Sequence, residues 1–358
     1  MAVDLLGGDH APAVVVDGAL RACQADPALT LLLVGPIEAA GAVLAALDPV
    51  DRSRVRTLTA PAGLPDQEAV REEGAAREEA ARKRAARDKG GRDQGRRGPF
   101  GRDHIGRSLP DRLQAVSRVE SGVRTAVLAV AQGLADAVVS AGNTGATVTS
   151  AALGLGRWNG VRRPALAAVL PTAAGRLVLL DVGSSVDPDE NTLAMHARLG
   201  AAYASVVHGL EAPRVGLLTI GTEQGKGDRL RRATPAVLAA LKLPADGHYV
   251  GLVEGNDVVT GAAADVVVTD GFTGNVLLKG LETAYALIRP PGRDQVPPRA
   301  AILLGVGGTV VVCHGAATGV DLAAGIALAA GLHRRAAVPT IADLIQSQAA
   351  QDDNEVHG

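Results

Sequence analysis

The chain has 358 residues, 47% of them apolar but only 2% aromatic, so it is long enough for one large or two ordinary domains with an aliphatic core. Its formal charge of -2 excludes a dedicated nucleic-acid binder. Two cysteines, Cys23 and Cys313, exclude a disulfide framework or a four-cysteine metal site and fit a cytoplasmic setting. No secretory leader is read at the start, and no apolar run reaches the about 18 to 20 residues of a spanning helix.

In chain order, Val3–Leu6 reads as a strand, followed by the loop Gly7-Gly8-Asp9-His10 and a helix that Pro12 opens and that runs to Cys23. Leu29–Val34 reads as a buried strand ending at Gly35-Pro36. Residues 66–112 break this rhythm with dense charge of both signs and almost no large apolar side chains. Glu73 with Arg77, Glu78 with Arg82 and Glu79 with Lys83 pair at helical spacing. The second half, without periodicity, reads as disordered, and the whole as a solvated insertion.

Ala137–Ser140 is the next strand; Gly142-Asn143-Thr144-Gly145 follows it and opens a helix. Strands are expected at Ala165–Leu170, Leu177–Asp181, Arg214–Ile220, Tyr249–Val253 and Val310–Cys313. Helices are expected at Glu190–His208, Arg229–Leu241, Asn275–Ile288, Leu322–Leu332 and Ile341–Ala349, with a flexible tail over 350–358. Val266–Asp270 leads into Gly271-Phe272-Thr273-Gly274-Asn275 and the Asn275–Ile288 helix. This alternation predicts an α/β fold with a mostly parallel, doubly wound sheet, in one domain or two lobes of one.

Three loops thus share a design: an apolar strand, a Gly-rich polar turn, then a helix. Unpaired N–H groups at a helix start, with glycine allowing close approach, suit an anion, most simply phosphate. Lysine is scarce in this Arg-dominated chain, yet Lys226 stands in a Gly-rich turn and Lys279 one turn into a helix. A compact ammonium is a good point charge for phosphate. His10 and His314 fall in Gly-flanked loops. Asp4, Asp181, Asp187 and Asp270 lie near strand ends and are read as holding loops through backbone N–H groups rather than as a metal cage. No serine elbow, P-loop or dinucleotide fingerprint is present.

Several segments, in order, resemble the PlsX family, the acyl-acyl-carrier-protein:phosphate acyltransferases. They are Ala2-Val3-Asp4 with Gly7 to Pro12, Ser140 to Ala146, Arg163 to Ala167 with Leu170-Pro171-Thr172, and Leu179 to Gly183 with Val186-Asp187. Pro213 to Leu218, Lys226-Gly227, and Asp265 to Val276 with Leu278-Lys279 complete the set. The resemblance implies a fold akin to phosphotransacetylases and isocitrate-type dehydrogenases, usually a homodimer. It also implies that inorganic phosphate attacks the thioester of a long-chain acyl carrier protein, and that the acyl phosphate product feeds phospholipid synthesis. A thiolate leaves readily and phosphate is already nucleophilic, so the protein's task is to stabilise charge.

Catalytic roles are expected for Lys279, Lys226 and His314. Substrate binding is expected from Gly8, Asp9, His10, Gly142, Asn143, Thr144, Gly145, Asp270, Gly274 and Asn275, with no metal and no cofactor. The chain departs from the family pattern at Ser117 to Gly122, usually basic, and at His314-Gly315-Ala316-Ala317, where two serines are usual. The Pro-rich Arg289–Arg299 stretch replaces a long amphipathic hairpin, leaving at most weak peripheral membrane association. Two alternatives follow: an acyl-CoA-using enzyme like a phosphotransacetylase, or a non-catalytic homologue that binds carrier or lipid.

Overall fold

A computed structural model describes residues 1–60, 121–223, 225–288 and 300–356; the readings made for 66–112, Ser117 to Glu120 and 289–299 fall outside them. Among the described residues eleven strands form one sheet: β1 (Ala2–Asp4), β2 (Leu31–Gly35), β3 (Val55–Thr59), β4 (Ala137–Ser140), β5 (Ala165–Thr172), β6 (Gly175–Leu180), β7 (Arg214–Leu218), β8 (His248–Val253), β9 (Val266–Val268), β10 (Ala300–Leu304) and β11 (Thr309–Cys313). The strand order is β3-β2-β1-β4-β11-β10-β5-β6-β9-β7-β8.

The central strands β4, β9, β10 and β11 are buried along their whole length and mostly apolar, because both faces of the sheet are covered there. Successive side chains pass to opposite sides. Val139, Leu180, Val266 and Val268 therefore join one aliphatic core, while Val138, Leu179 and Val267 join the other. The first core is covered by helices Ala13–Ala25, Glu190–His208, Gly319–Arg334 and Ala337–Val356, through Val15, Leu193, Ile326 and Ile341 among others. The second is covered by the helix over 121–131 and by Thr144–Gly154, Gly255–Thr260 and Gly271–Ile288, through Val127, Ala151, Val258 and Leu278. This is the expected α/β fold with a mostly parallel sheet.

Two parallel blocks make up the sheet, β3-β2-β1-β4-β11 and β6-β9-β7-β8. Between them the pairs β11/β10, β10/β5 and β5/β6 are all antiparallel, so the blocks run in opposite senses. The β5–β6 hairpin brings the expected strands Ala165–Leu170 and Leu177–Asp181 together, the second ending at Leu180, but in antiparallel pairing. Several element boundaries differ from expectation, among them three at the ends of elements. The Arg214 strand stops at Leu218, the Arg229 helix stops at Ala239, and the last helix runs Ala337–Val356, through most of the expected tail. Among the described residues no helix is long and apolar enough to cross a membrane.

Candidate active site

Ligands of open α/β sheets bind beyond the carboxyl ends of strands, where neighbouring strands send their helices to opposite faces. Two regions of this sheet with such strand ends carry the expected loops. At the first, β1 leads to helix Ala13–Ala25 on one face and adjacent β4 leads to Thr144–Gly154 on the other. At the second, β6 leads to Glu190–His208 and adjacent β9 leads to Gly271–Ile288 on the opposite face. The expected anion loops divide between these two points.

Around the first, Gly7–His10, Ala141–Gly145 and His314–Ala317 lie side by side, following the adjacent strands β1, β4 and β11. The Asp9 N–H donates to Gly315 O at 2.8 Å. A Cβ on Gly7 would stand 2.6 Å from the Gly142 nitrogen, so only glycine allows the two loops to meet. Beneath them Asp4 is buried; it accepts from Ser140 Oγ at 2.8 Å and Leu6 N–H at 3.1 Å. Ser140 Oγ in turn accepts from Gly142 N–H at 3.0 Å. Asn143 caps the Thr144–Gly154 helix, its Oδ1 accepting from Ala146 N–H at 2.9 Å. The Thr144 and Gly145 N–H groups that open this helix have no carbonyl partner within it.

His10 is exposed; His314 is half-buried, and its Nδ1 accepts from Ala316 N–H at 3.0 Å, which leaves Nε2 as the proton-bearing nitrogen of the neutral ring. Cys313 is buried and its thiol is pushed up to about 12 by burial, so no thiolate nucleophile stands beside His314.

Around the second point, buried Asp181 accepts from the N–H groups of Leu166, Gly183, Ser184 and Ser185 at 2.6 to 3.1 Å, and from Ser184 Oγ at 2.8 Å. That carboxylate shapes the 181–185 turn. The Gly271–Ile288 helix is fastened to it: Gly271 N–H donates to Ser185 O at 2.8 Å and Asn275 Nδ2 to Val182 O at 3.0 Å. Asp270 caps the helix, accepting from Thr273 N–H at 2.8 Å and Thr273 Oγ1 at 2.7 Å, and forms an ion pair with buried Arg231. Burial alone would raise the Asp270 pKa, but the Thr273 and Arg231 donors outweigh it and hold the carboxyl below the usual range. Asp4, Asp181 and Asp270 thus organise loops, the role expected of them.

The two clusters touch. A Cβ on Gly183 would lie 3.2 Å from Asn275 Nδ2 and 3.9 Å from Thr144 Cγ2. The starts of the Thr144–Gly154 and Gly271–Ile288 helices, on the same face of the sheet, therefore converge on Gly183. Lys226 and Lys279 belong to the second cluster. Lys279 is exposed one turn beyond Asn275, and exposed Lys226 has its Nζ 3.8 Å from Glu223. His10 and His314 belong to the first.

Sequence reasoning missed Arg231, because one more arginine in an Arg-rich chain carries no signal. The available hint was Asp228, a helix cap three residues before it. Arg231 lines a polar cleft of about 1020 Å³ together with Arg163, Asp187, Arg229, Asp270 and Thr273.

Asp4 gives a pH signature. Burial raises its pKa to about 6, opposed by the Ser140 and Leu6 donors. A raised folded-state carboxyl contributes stability that is full below the unfolded value near 3.8 and lost as pH rises through about 6. The loss is at most about 3 kcal/mol. Buried His196, its pKa lowered by burial, acts in the opposite sense, since its neutral form is the one that fits. Subtracting the melting profile of Asp4→Asn from that of the wild type isolates the carboxyl: the stability of the wild type relative to the variant should fall from about pH 4 to about pH 7. A constant difference would contradict the burial of this carboxyl.

The chain matches the family described as "Fatty acid synthesis protein" over residues 1–84 and 108–297. It is 37% identical to the Phosphate acyltransferase of Thermobifida fusca (strain YX), over 97% of this chain and 90% of the relative. It is 39% identical to the Phosphate acyltransferase of Brevibacillus brevis (strain 47 / JCM 6285 / NBRC 100599), over 80% and 72%. Among solved structures, a phosphotransacetylase from Streptococcus pyogenes has a TM-score of 0.53 at 17% identity, covering 97% of this chain and 94% of that one. A branched-chain phosphotransacylase from Enterococcus faecalis V583 also has a TM-score of 0.53, at 12% identity, covering 92% and 98%. Both share the fold.

Proposed function

The chain belongs to the phosphate acyltransferase family and is an acyltransferase; on that premise we propose that it moves a long-chain acyl group from acyl carrier protein to inorganic phosphate. A phosphate oxygen attacks the thioester carbonyl, the C–S bond breaks, and the carrier leaves as a thiolate. The acyl phosphate supplies phospholipid synthesis. The reading has the enzyme acting in the cytoplasm as a homodimer, with at most weak peripheral contact with membrane.

The convergence of two helix starts on Gly183 is the observation that supports this most. Charge developing on the carbonyl oxygen and on desolvated phosphate needs fixed donors in place before the reaction. The Thr144 and Gly145 N–H groups and the second amide hydrogen of Asn275 fill that role. Gly142 and Asn143 shape the turn that presents Thr144, and Gly274 and Asp270 seat Asn275. Lys279 and Lys226 supply positive charge. His314 Nε2 orients phosphate from the first cluster, with Gly8, Asp9 and His10 forming the adjoining wall.

The reading is tested by trapping acyl phosphate with hydroxylamine while offering acyl carrier protein or acyl-CoA. Product from the carrier donor is expected. Product from coenzyme A alone would assign the phosphotransacetylase-like alternative, and carrier binding without turnover would assign a non-catalytic homologue. In the same assay Lys279→Ala should lower turnover about 10²-fold or more. An unchanged rate removes this lysine from the site.

A further inference from the structure

The Arg231 guanidinium is buried in the gap between the ends of β7 and β9. On the β7 side its Nε donates to Leu218 O at 3.3 Å and its Nη1 to Asp228 Oδ2 at 2.9 Å. On the β9 side its Nη2 donates to Thr269 Oγ1 at 2.9 Å and Thr273 Oγ1 at 3.3 Å, and pairs with Asp270. The turn carrying Lys226 rests on the same side chain: Gly227, at φ +86°, would place a Cβ 2.6 Å from Arg231 Cβ. One planar fork thus joins Leu218 and Asp228, the two ends of the segment that bears Lys226, to the turn that presents Asn275.

We propose that Arg231 is a positioning residue that couples the Gly225–Gly227 turn to the Asp270–Asn275 turn, so that both halves of the phosphate-binding edge are held in register by one side chain. Its phosphate role rests on the function proposed above; the coupling itself does not. A mere charge partner for Asp270 would need only a point charge, and lysine would serve. A coupling device needs donors fixed at an angle to each other, which lysine lacks.

The test compares wild type, Arg231→Lys and Arg231→Met in two measurements. The first is amide exchange at 225–227 and at 271–275. The second is the KM for phosphate and for the acyl donor, with melting curves to confirm folding. Arg231→Lys should exchange faster in both segments together. Its phosphate KM should rise about tenfold while the donor KM stays within about twofold. Arg231→Met should show the same pattern more strongly, and if it does not fold, the lysine variant alone decides. Faster exchange in only one segment, or wild-type exchange in both, overturns the coupling. Equal shifts in both KM values overturn the phosphate role. Should wild type form no acyl phosphate from any donor, the parent reading fails, and the exchange measurement still decides the coupling.

Discussion

Gly274→Ala should disable the enzyme more thoroughly than its one added methyl group suggests. A Cβ at this position would overlap the Asp181 carbonyl oxygen, a backbone atom that the five hydrogen bonds to the Asp181 carboxylate hold in place. The helix must back away, at a cost of about 1–3 kcal/mol for overpacking. That movement breaks the 3.0 Å bond from Asn275 Nδ2 to Val182 O and withdraws Asn275 from Gly183. A misplacement of this size at reacting groups lowers turnover by about 10²-fold. Gly280, on the same helix with nothing near its Cβ position, is the control. Gly280→Ala should be neutral or stabilising by up to about 1 kcal/mol, because alanine is the better helix former. Melting curves and the trapping assay on both variants check this; wild-type behaviour of Gly274→Ala would contradict the fastening of helix to turn.

Asp270→Ala should cause the largest loss of stability, about 3 kcal/mol. Removing one partner of a buried ion pair leaves the other charge without its close counter-ion, here Arg231. The figure falls at the low end of the range because the exposed carboxylate of Asp228 still reaches Arg231 Nη1. Loss of the helix cap adds to the cost. The Asp270→Ala/Arg231→Met double variant should therefore be less destabilised than Asp270→Ala alone, since it buries no charge. Urea denaturation of the set checks this ordering. The acid side gives a second check. A depressed folded-state carboxyl contributes stability present above the unfolded value near 3.8 and lost as pH falls through the lower folded value. The gap between wild type and Asp270→Ala should hold at neutral pH and close in strong acid.

Much of this fold was legible because its causes are local. Runs such as Val266-Val267-Val268 and Val310-Val311-Val312 are apolar on both faces, which only a doubly covered strand requires. The turns at Gly7, Gly142 and Gly271 carry their own chemistry. Edge strand β3 gave little signal, since Arg56 and Thr57 are exposed and only Val55 is buried. The division of the loops between two clusters was not legible either. It depends on three antiparallel pairings in the middle of the sheet, and pairing partners far apart in sequence leave no periodic trace. Ala317 shows the same limit. Its sequence position suggests a lost hydroxyl donor, whereas the fold buries it in the aliphatic core.

The most direct measurement follows phosphorus NMR of the purified enzyme with inorganic phosphate and a long-chain acyl carrier protein. The account predicts an acyl phosphate resonance that grows as the carrier thioester is consumed. Persistence of the thioester, or its loss with the phosphate signal unchanged, would contradict it.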